Sequence, residues 1–255
     1  MIAKSKKEIE MLRISGQILA RVLARVAREI VPGIETLKLD AIAESEIIKA
    51  GAVPSFKGYG EGGERPYPSS ICVSINDEVV HGIPGKKILR EGDVVTLDLG
   101  VNYKGFFTDG ARTVLCGSYD PDGRSNRLIS VCRQALDAAI KKCKAGIAIG
   151  DIGHAVEFFV KKNGFNVFRE LVGHGVGRAV HEPPHIPNWG KAGAGEKLKD
   201  GMVLAIEPMI AEGEAKIITD KNGWTYRTLD GSRAAHFEHT VLVKRGGCEV
   251  LTNDK

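Results

Sequence analysis

Two apolar, strand-like runs between residues 94 and 115, VVTLDLGVNYKGFFTDGARTVL, each carry one aspartate, Asp98 and Asp109. A carboxylate inside an apolar strand is costly to bury unless an opposite charge compensates it, and a cation is the economical compensation. If the runs pair as antiparallel strands around a turn near 102–105, both carboxylates can point to one face. They then make half of a seat for one metal ion, or for two ions sharing a bridging water. Three more side chains fit the same chemistry. His174 stands in VGHGVG, where glycines leave the ring room and let the backbone approach a ligand. Glu207 ends the apolar run MVLAIE, and Glu238 lies inside AAHFEHTVLV. The set is then four carboxylates and one imidazole. Two divalent cations neutralise it; one would leave half of the buried negative charge uncompensated and push the carboxylate pKa values up. Oxygen ligands with a single imidazole suit manganese, iron or cobalt better than a thiolate site would. In such a centre a bridging water is acidified to hydroxide and two ions clamp an oxyanion transition state.

The elements that must position these residues are legible from periodicity. Ile9, Leu12, Leu19, Val22, Leu23, Val26 and Ile30 recur at helical spacing, which predicts an amphipathic helix over 5–30, stopped by Val31-Pro32-Gly33. Thr36 is placed to cap a second helix over about 37–50, closed by Gly51. A Gly- and Pro-rich loop covers 54–68, followed by strands at about 70–76 and 79–82 and then by the two Asp strands. Further helices are predicted over about 125–144 and 151–163. Beyond them lie strands at 202–207, 215–219, 225–229, 234–244 and 249–252. The order helix, helix, strands occurs twice. It predicts an α+β fold of two halves, about 1–120 and 121–255, related by a pseudo-twofold around a central antiparallel sheet flanked by helices. With no linker between them, the expectation is one catalytic domain over 1–255, with a site at the junction drawing ligands from both halves.

Bulk properties narrow the class. The 255 residues are 43% hydrophobic and 27% charged, the balance of an ordinary globular protein. A net charge of +4 permits loose contact with an RNA-rich surface but does not argue for base readout, and no sequence-specific nucleic acid partner is expected. Cys72, Cys116, Cys132, Cys143 and Cys248 are odd in number and include no CxxC pair, which speaks against a disulfide framework or a structural zinc site and for a reducing, cytoplasmic setting. The charged N-terminal stretch has no apolar signal core, and no apolar run approaches the length of a membrane span.

The settings NDEVVHGIPG, TLDLG, TDGART, GHGVG, AIEPM and FEHTV, in this order and spacing, resemble the type I methionine aminopeptidases over nearly the whole chain, from Ile9 to Thr252. The resemblance implies the pita-bread fold and a dinuclear centre of cobalt, manganese or iron. It also implies removal of the initiator methionine from nascent polypeptides whose second residue is small and uncharged, by attack of a metal-bridged hydroxide on the scissile carbonyl. On that resemblance Asp98 is a bidentate ligand, Asp109 and Glu238 bridge the ions, and His174 is the histidine ligand. Glu207 is a ligand that doubles as the general base. His81 hydrogen-bonds the substrate beside the scissile amide, and His181 steadies the carbonyl oxygen. Phe56, Tyr59, Tyr67, Cys72 and Trp224 line the methionine pocket. The implied partners are nascent chains; Lys4, Lys6 and Lys7 are read first as a solvated helix start, with contact to ribosomal RNA near the exit tunnel as the lesser reading. Nothing demands more than a monomer.

The chain also departs from the pattern. The loop GYGEGGERPYP is longer than usual, which leaves open which tyrosine lines the pocket and puts Glu61, Glu64 and Arg65 on its rim. Val180 replaces a common aromatic, and His236 stands where a glutamine is common. His154 is read as a helix residue, His185 as a loop residue close enough to the site in sequence to matter, and His239, by strand alternation, as a structural residue on the face opposite Glu238. Two other readings are kept: a proline-specific aminopeptidase or prolidase of the same fold, and a non-enzymatic binding relative.

Overall fold

The computed structural model describes residues 1–60 and 65–253. Ser5 opens helix α1 (Lys6–Ala27): its hydroxyl accepts the Glu8 amide while the Glu8 carboxylate accepts the Ser5 amide, so two otherwise unpaired helix-end donors are satisfied. Helix α2 (Thr36–Lys49) begins with Glu35, not Thr36, at the cap position. The Thr36 hydroxyl instead donates to the Gly85 carbonyl (3.0 Å) and accepts its amide (2.9 Å), tying α2 to the segment that follows His81. A tertiary partner has replaced the local one that the sequence suggested.

Strands β1 (Val53–Pro54), β2 (Cys72–Ile75), β3 (Glu78–Val80), β4 (Val94–Tyr103) and β5 (Phe106–Leu115) follow. The β4–β5 hairpin closes through Lys104 and Gly105, at φ of 53° and 83°, a two-residue turn whose twist matches that of its strands. The register sets Asp98 opposite Ala111 and Gly100 opposite Asp109. Directly opposed residues share a face, so the two carboxylates lie two positions apart on one side of the hairpin, as expected. Leu97, Leu99 and Val101 join the core formed with α1 and α2.

The second half repeats the pattern with α3 (Arg124–Lys142) and α4 (Ile149–Lys162). Its strands are β6 (Asn166–Val167), β7 (Val172–Gly175), β8 (Glu182–Pro187), β9 (Val203–Ile206), β10 (Met209–Ala211), β11 (Ile217–Thr219), β12 (Tyr226–Thr228), β13 (Ala234–His236), β14 (His239–Lys244) and β15 (Gly247–Val250). A five-stranded antiparallel sheet in the order β15-β14-β9-β7-β8 shares a core with α3 and α4. Smaller sheets, β13-β10-β6 and β11-β12-β3, complete the structure, the last borrowing β3 from the first half. The halves meet where Thr240 accepts the Asp109 amide and donates to the Asp109 carbonyl, each at 2.8 Å. Beside it the backbones of Ala111 and Glu238 bond to one another. That second contact corrects the sequence reading of one strand over 234–244. The run is two strands, parted at Phe237 and Glu238, because Glu238 leaves the β13 ladder to pair with β5.

Among the described residues no helix is long and apolar enough to cross a membrane.

Candidate metal centre

One hairpin, one short strand, one strand end and one strand break deliver the candidate ligands. Asp98 and Asp109 come from β4 and β5. His174 sits in β7 at a register irregularity between Gly173 and Gly175, paired with Ala205 of β9. Glu207 follows β9, its carbonyl held by the Asn188 amide at 2.9 Å. Glu238 stands in the break between β13 and β14. All five side chains converge: ligand atoms of Asp98, Asp109 and Glu238 lie within 4.8 Å of one another, as do those of His174, Glu207 and Glu238. Glu238 belongs to both groups, the arrangement of two adjoining seats. Asp109, His174 and His181 meet the same limit.

The electrostatics of the cluster fit a cation. His174 Nδ1 lies 2.9 Å from the Gly175 carbonyl, which can only accept, so the proton is on Nδ1. The Nε2 lone pair therefore faces Glu207 Oε1 at 3.4 Å and Asp109 Oδ2 at 3.9 Å. Lone pairs facing one another repel; a positive ion between them turns each contact favourable. Asp98 Oδ1 and Glu238 Oε1 are buried with no donor among the described residues. Burial pushes Asp98 up to about 7 and Asp109, Glu207 and Glu238 well above the usual carboxylate range. Mutual repulsion adds to the rise at Asp109 and Glu238. Burial acts oppositely on the imidazole, lowering His174 to about 3.

One consequence is measurable. The carboxyl groups must lose protons to bind an ion, whereas His174 is already neutral at any ordinary pH. Below pH 7, where Asp98 is protonated, uptake must therefore release protons, and apparent affinity must rise with pH up to at least about 7. Calorimetric titration of manganese into the metal-free chain at pH 6, in two buffers of different ionisation enthalpy, is expected to show proton release. Equal heats in the two buffers would contradict it.

Against the cluster lies an apolar wall, and the two share a cavity of ≈ 230 Å³. Phe56, Tyr67, Cys72 and Val180 are buried together, with Tyr59 and Trp224 packed on them. Tyr67 meets Trp224 edge to face at 5.3 Å and directs its hydroxyl to the Gly82 carbonyl at 3.0 Å. Gly100 makes room for this wall: a Cβ there would lie 2.8 Å from the Phe56 ring. His81 lines the cavity in the left-handed region at φ 59°, uncommon for a side-chain-bearing residue and characteristic of functional sites. Burial, then repulsion from His181 and His236, lowers it to about 4, so its ring is neutral. His181 Nδ1 lies 2.7 Å from the Tyr59 hydroxyl.

Residues 10–245 match the model of metallopeptidase family M24. The chain belongs to that family. The methionine aminopeptidase 1 of Bacillus subtilis (strain 168) is 41% identical over 252 residues, covering 99% of each chain. The crystal structure of a methionine aminopeptidase from Thermotoga maritima superposes with a TM-score of 0.94 at 44% identity, covering all of both chains. The prolidase from Pyrococcus furiosus matches at a TM-score of 0.79 and 24% identity, covering the whole chain but 66% of the prolidase, a likeness of fold alone. The fold is therefore the pita-bread α+β fold that the sequence led one to expect.

In this M24 chain every candidate ligand, catalytic and pocket residue named from the sequence lines the same cavity: Phe56, Tyr59, Tyr67, Cys72, His81, Asp98, Asp109, His174, His181, Glu207, Trp224 and Glu238. Both tyrosines of the long loop face it, because the Gly58 amide donates to the Tyr67 carbonyl and the Tyr67 amide to the Tyr59 carbonyl across the loop's base. Arg65 stands at the aromatic wall, its carbonyl accepting Trp224 Nε1 at 3.0 Å; Glu61 and Glu64 lie outside the described residues. His185 is corrected from loop to strand: it sits on β8 and lines the cavity. His239 bonds Thr252 at 2.9 Å, in keeping with a structural role. Sequence reasoning did not assign Leu171, Met209 or His236 to the cavity, where all three lie. Their nearness to His174, Glu207 and Glu238 in the chain was the available signal.

Proposed function

We propose that the protein is a metal-dependent aminopeptidase that removes methionine from the N-termini of peptides and nascent chains whose second residue is small. The observation that carries this reading is the contiguity, in one cavity, of a carboxylate–imidazole cluster needing a cation and an apolar wall suited to a thioether. Residues 1–255 act as a single catalytic domain, because the ligands are divided between the two halves. Asp98, Asp109, His174, Glu207 and Glu238 would hold two divalent ions of manganese, iron or cobalt. When bound, these supply an acidified water and Lewis-acid stabilisation of developing negative charge. Phe56, Tyr59, Tyr67, Cys72 and Trp224 take the methionine side chain and exclude solvent from it. Glu207 accepts the proton of the attacking water on its carboxylate. In the tautomer that accepts the Tyr59 hydroxyl at Nδ1, 2.7 Å away, His181 carries its proton on Nε2 and donates it to the scissile carbonyl oxygen. Neutral His81 hydrogen-bonds the substrate beside the amide. Neutral donors aimed at developing charge are what such a transition state uses.

Five free thiols support a reducing, cytoplasmic setting, and exposed Lys4, Lys6 and Lys7 at the start of α1 support contact with ribosomal RNA. We read the chain as a monomer. The metal-free protein, supplied with manganese, iron or cobalt, is expected to cleave Met-Ala-Ser and to spare Met-Leu-Ser and Ala-Pro peptides. Cleavage confined to Ala-Pro would favour the prolidase reading, and no cleavage with any metal the non-enzymatic one.

A further inference from the structure

His236 is the most fully buried imidazole of the cavity, only 1% exposed, and neither of its ring nitrogens has a hydrogen-bond partner among the described residues. Two unsatisfied nitrogens on a ring with no access to bulk water are expensive, and a native structure rarely carries them without a use. The ring cannot withdraw. The His236 amide donates to the Thr113 hydroxyl at 2.9 Å, and that hydroxyl lies 2.7 Å from the His236 carbonyl, clamping β13 to β5 from behind. On the other side β13 pairs with β10, His236 opposite Met209, which brings the ring level with Glu207 two residues earlier. There Nε2 stands 3.3 Å from Glu207 Oε2 and 3.9 Å from Glu238 Oε2.

The two oxygens of Glu207 thus face different imidazoles, Oε1 that of His174 at 3.4 Å and Oε2 that of His236. The first imidazole presents a lone pair, as its Nδ1 bond requires. An ionised carboxylate is only an acceptor, so the second can bond to it directly only by presenting a proton. We propose that His236 is a positioning residue for Glu207: its Nε2–H donates to Oε2, which turns Oε1 into the seat shared with His174 and holds it there. This rests on the metal-centre reading above, and it gives a use to a buried polar ring that the proposed reaction itself does not employ.

The test uses side-chain geometry. The amide nitrogen of Gln overlays imidazole Nε2, and that of Asn overlays Nδ1. Cobalt is titrated into the metal-free parent chain and into the His236→Gln, His236→Asn and His236→Leu variants, with binding read from visible absorption. Outer hydrogen-bond partners of metal ligands are worth about 10–100-fold in affinity, so His236→Leu and His236→Asn are expected to weaken cobalt by about tenfold or more, with His236→Gln within a few-fold of the parent. Metal-free melting temperatures verify that each variant folds. Equal affinity across all four chains, or rescue by Asn but not Gln, overturns the proposal while leaving the metal centre intact; failure of the parent to bind cobalt overturns both. A second reading needs no variant. In the zinc-loaded parent, imidazole ¹⁵N resonances are expected to place the His236 proton on Nε2; a proton on Nδ1, or zinc bound to Nε2, overturns the proposal.

Discussion

Asp109→Asn is expected to abolish methionine release, with a loss of kcat of about 10³-fold or more, and to leave the metal-free fold as stable as the parent or more so. The first part follows from position. Asp109 lies within ligand distance of Asp98, Glu238 and His174, so it is common to both sides of the cluster. The amide keeps its shape but loses its charge and turns N–H donors toward atoms that must hold a cation. Lewis-acid activation is worth several kcal/mol, and each 1.4 kcal/mol or so is tenfold in rate, which gives the magnitude. The second part follows from cost. Asp109 is 3% exposed, and burial is the largest cause of its raised pKa; a neutral amide removes that penalty. Its backbone anchor to Thr240 is untouched by the substitution. Activity and metal content measured beside melting of the metal-free form therefore separate a broken ligand from a broken fold. Parental turnover at parental metal content would place Asp109 outside the centre.

His81→Ala is expected to retain metal binding and lose kcat by about 10²-fold or more, the cost typical of removing one positioned donor at a developing charge. His81 is not in any of the ligand groupings, but it lines the same cavity. Alanine has a Cβ as histidine does, so the substitution does not release the constraint of the left-handed backbone at φ 59° as glycine would. Its carbonyl still accepts the Thr225 hydroxyl. Parallel measurement of cobalt affinity and turnover checks the claim. Unchanged turnover, or lost metal, would contradict the role.

The hairpin was legible because three local signals agreed: two apolar, strand-like runs, a turn near 102–105, and carboxylates placed where strand geometry puts them on one face. Helix spans were legible for the same reason, since a 3.6-residue period over many turns leaves little ambiguity. What escaped was set by partners distant in sequence. Glu238 breaks its strand because its backbone pairs with Ala111, more than a hundred residues away, and no propensity in AAHFEHTVLV encodes that. Thr36 forgoes a cap for Gly85. His185 looked like a loop residue between prolines, yet Glu182–Pro187 pairs with β7 as an edge strand, where proline is tolerated. His236 drew notice only as an unusual residue beside Glu238; that its ring is sealed in and aimed at Glu207 exists only in three dimensions.

The most direct measurement is methionine release from Met-Ala-Ser by the metal-stripped chain as manganese or cobalt is restored in steps, with bound metal determined on the same samples. No release is expected without metal; activity should rise with bound ion to saturation at two per chain, and the Asp109→Asn chain should gain nothing at the same additions. Full release by the stripped chain, or restoration of Asp109→Asn to parental activity, would contradict this expectation.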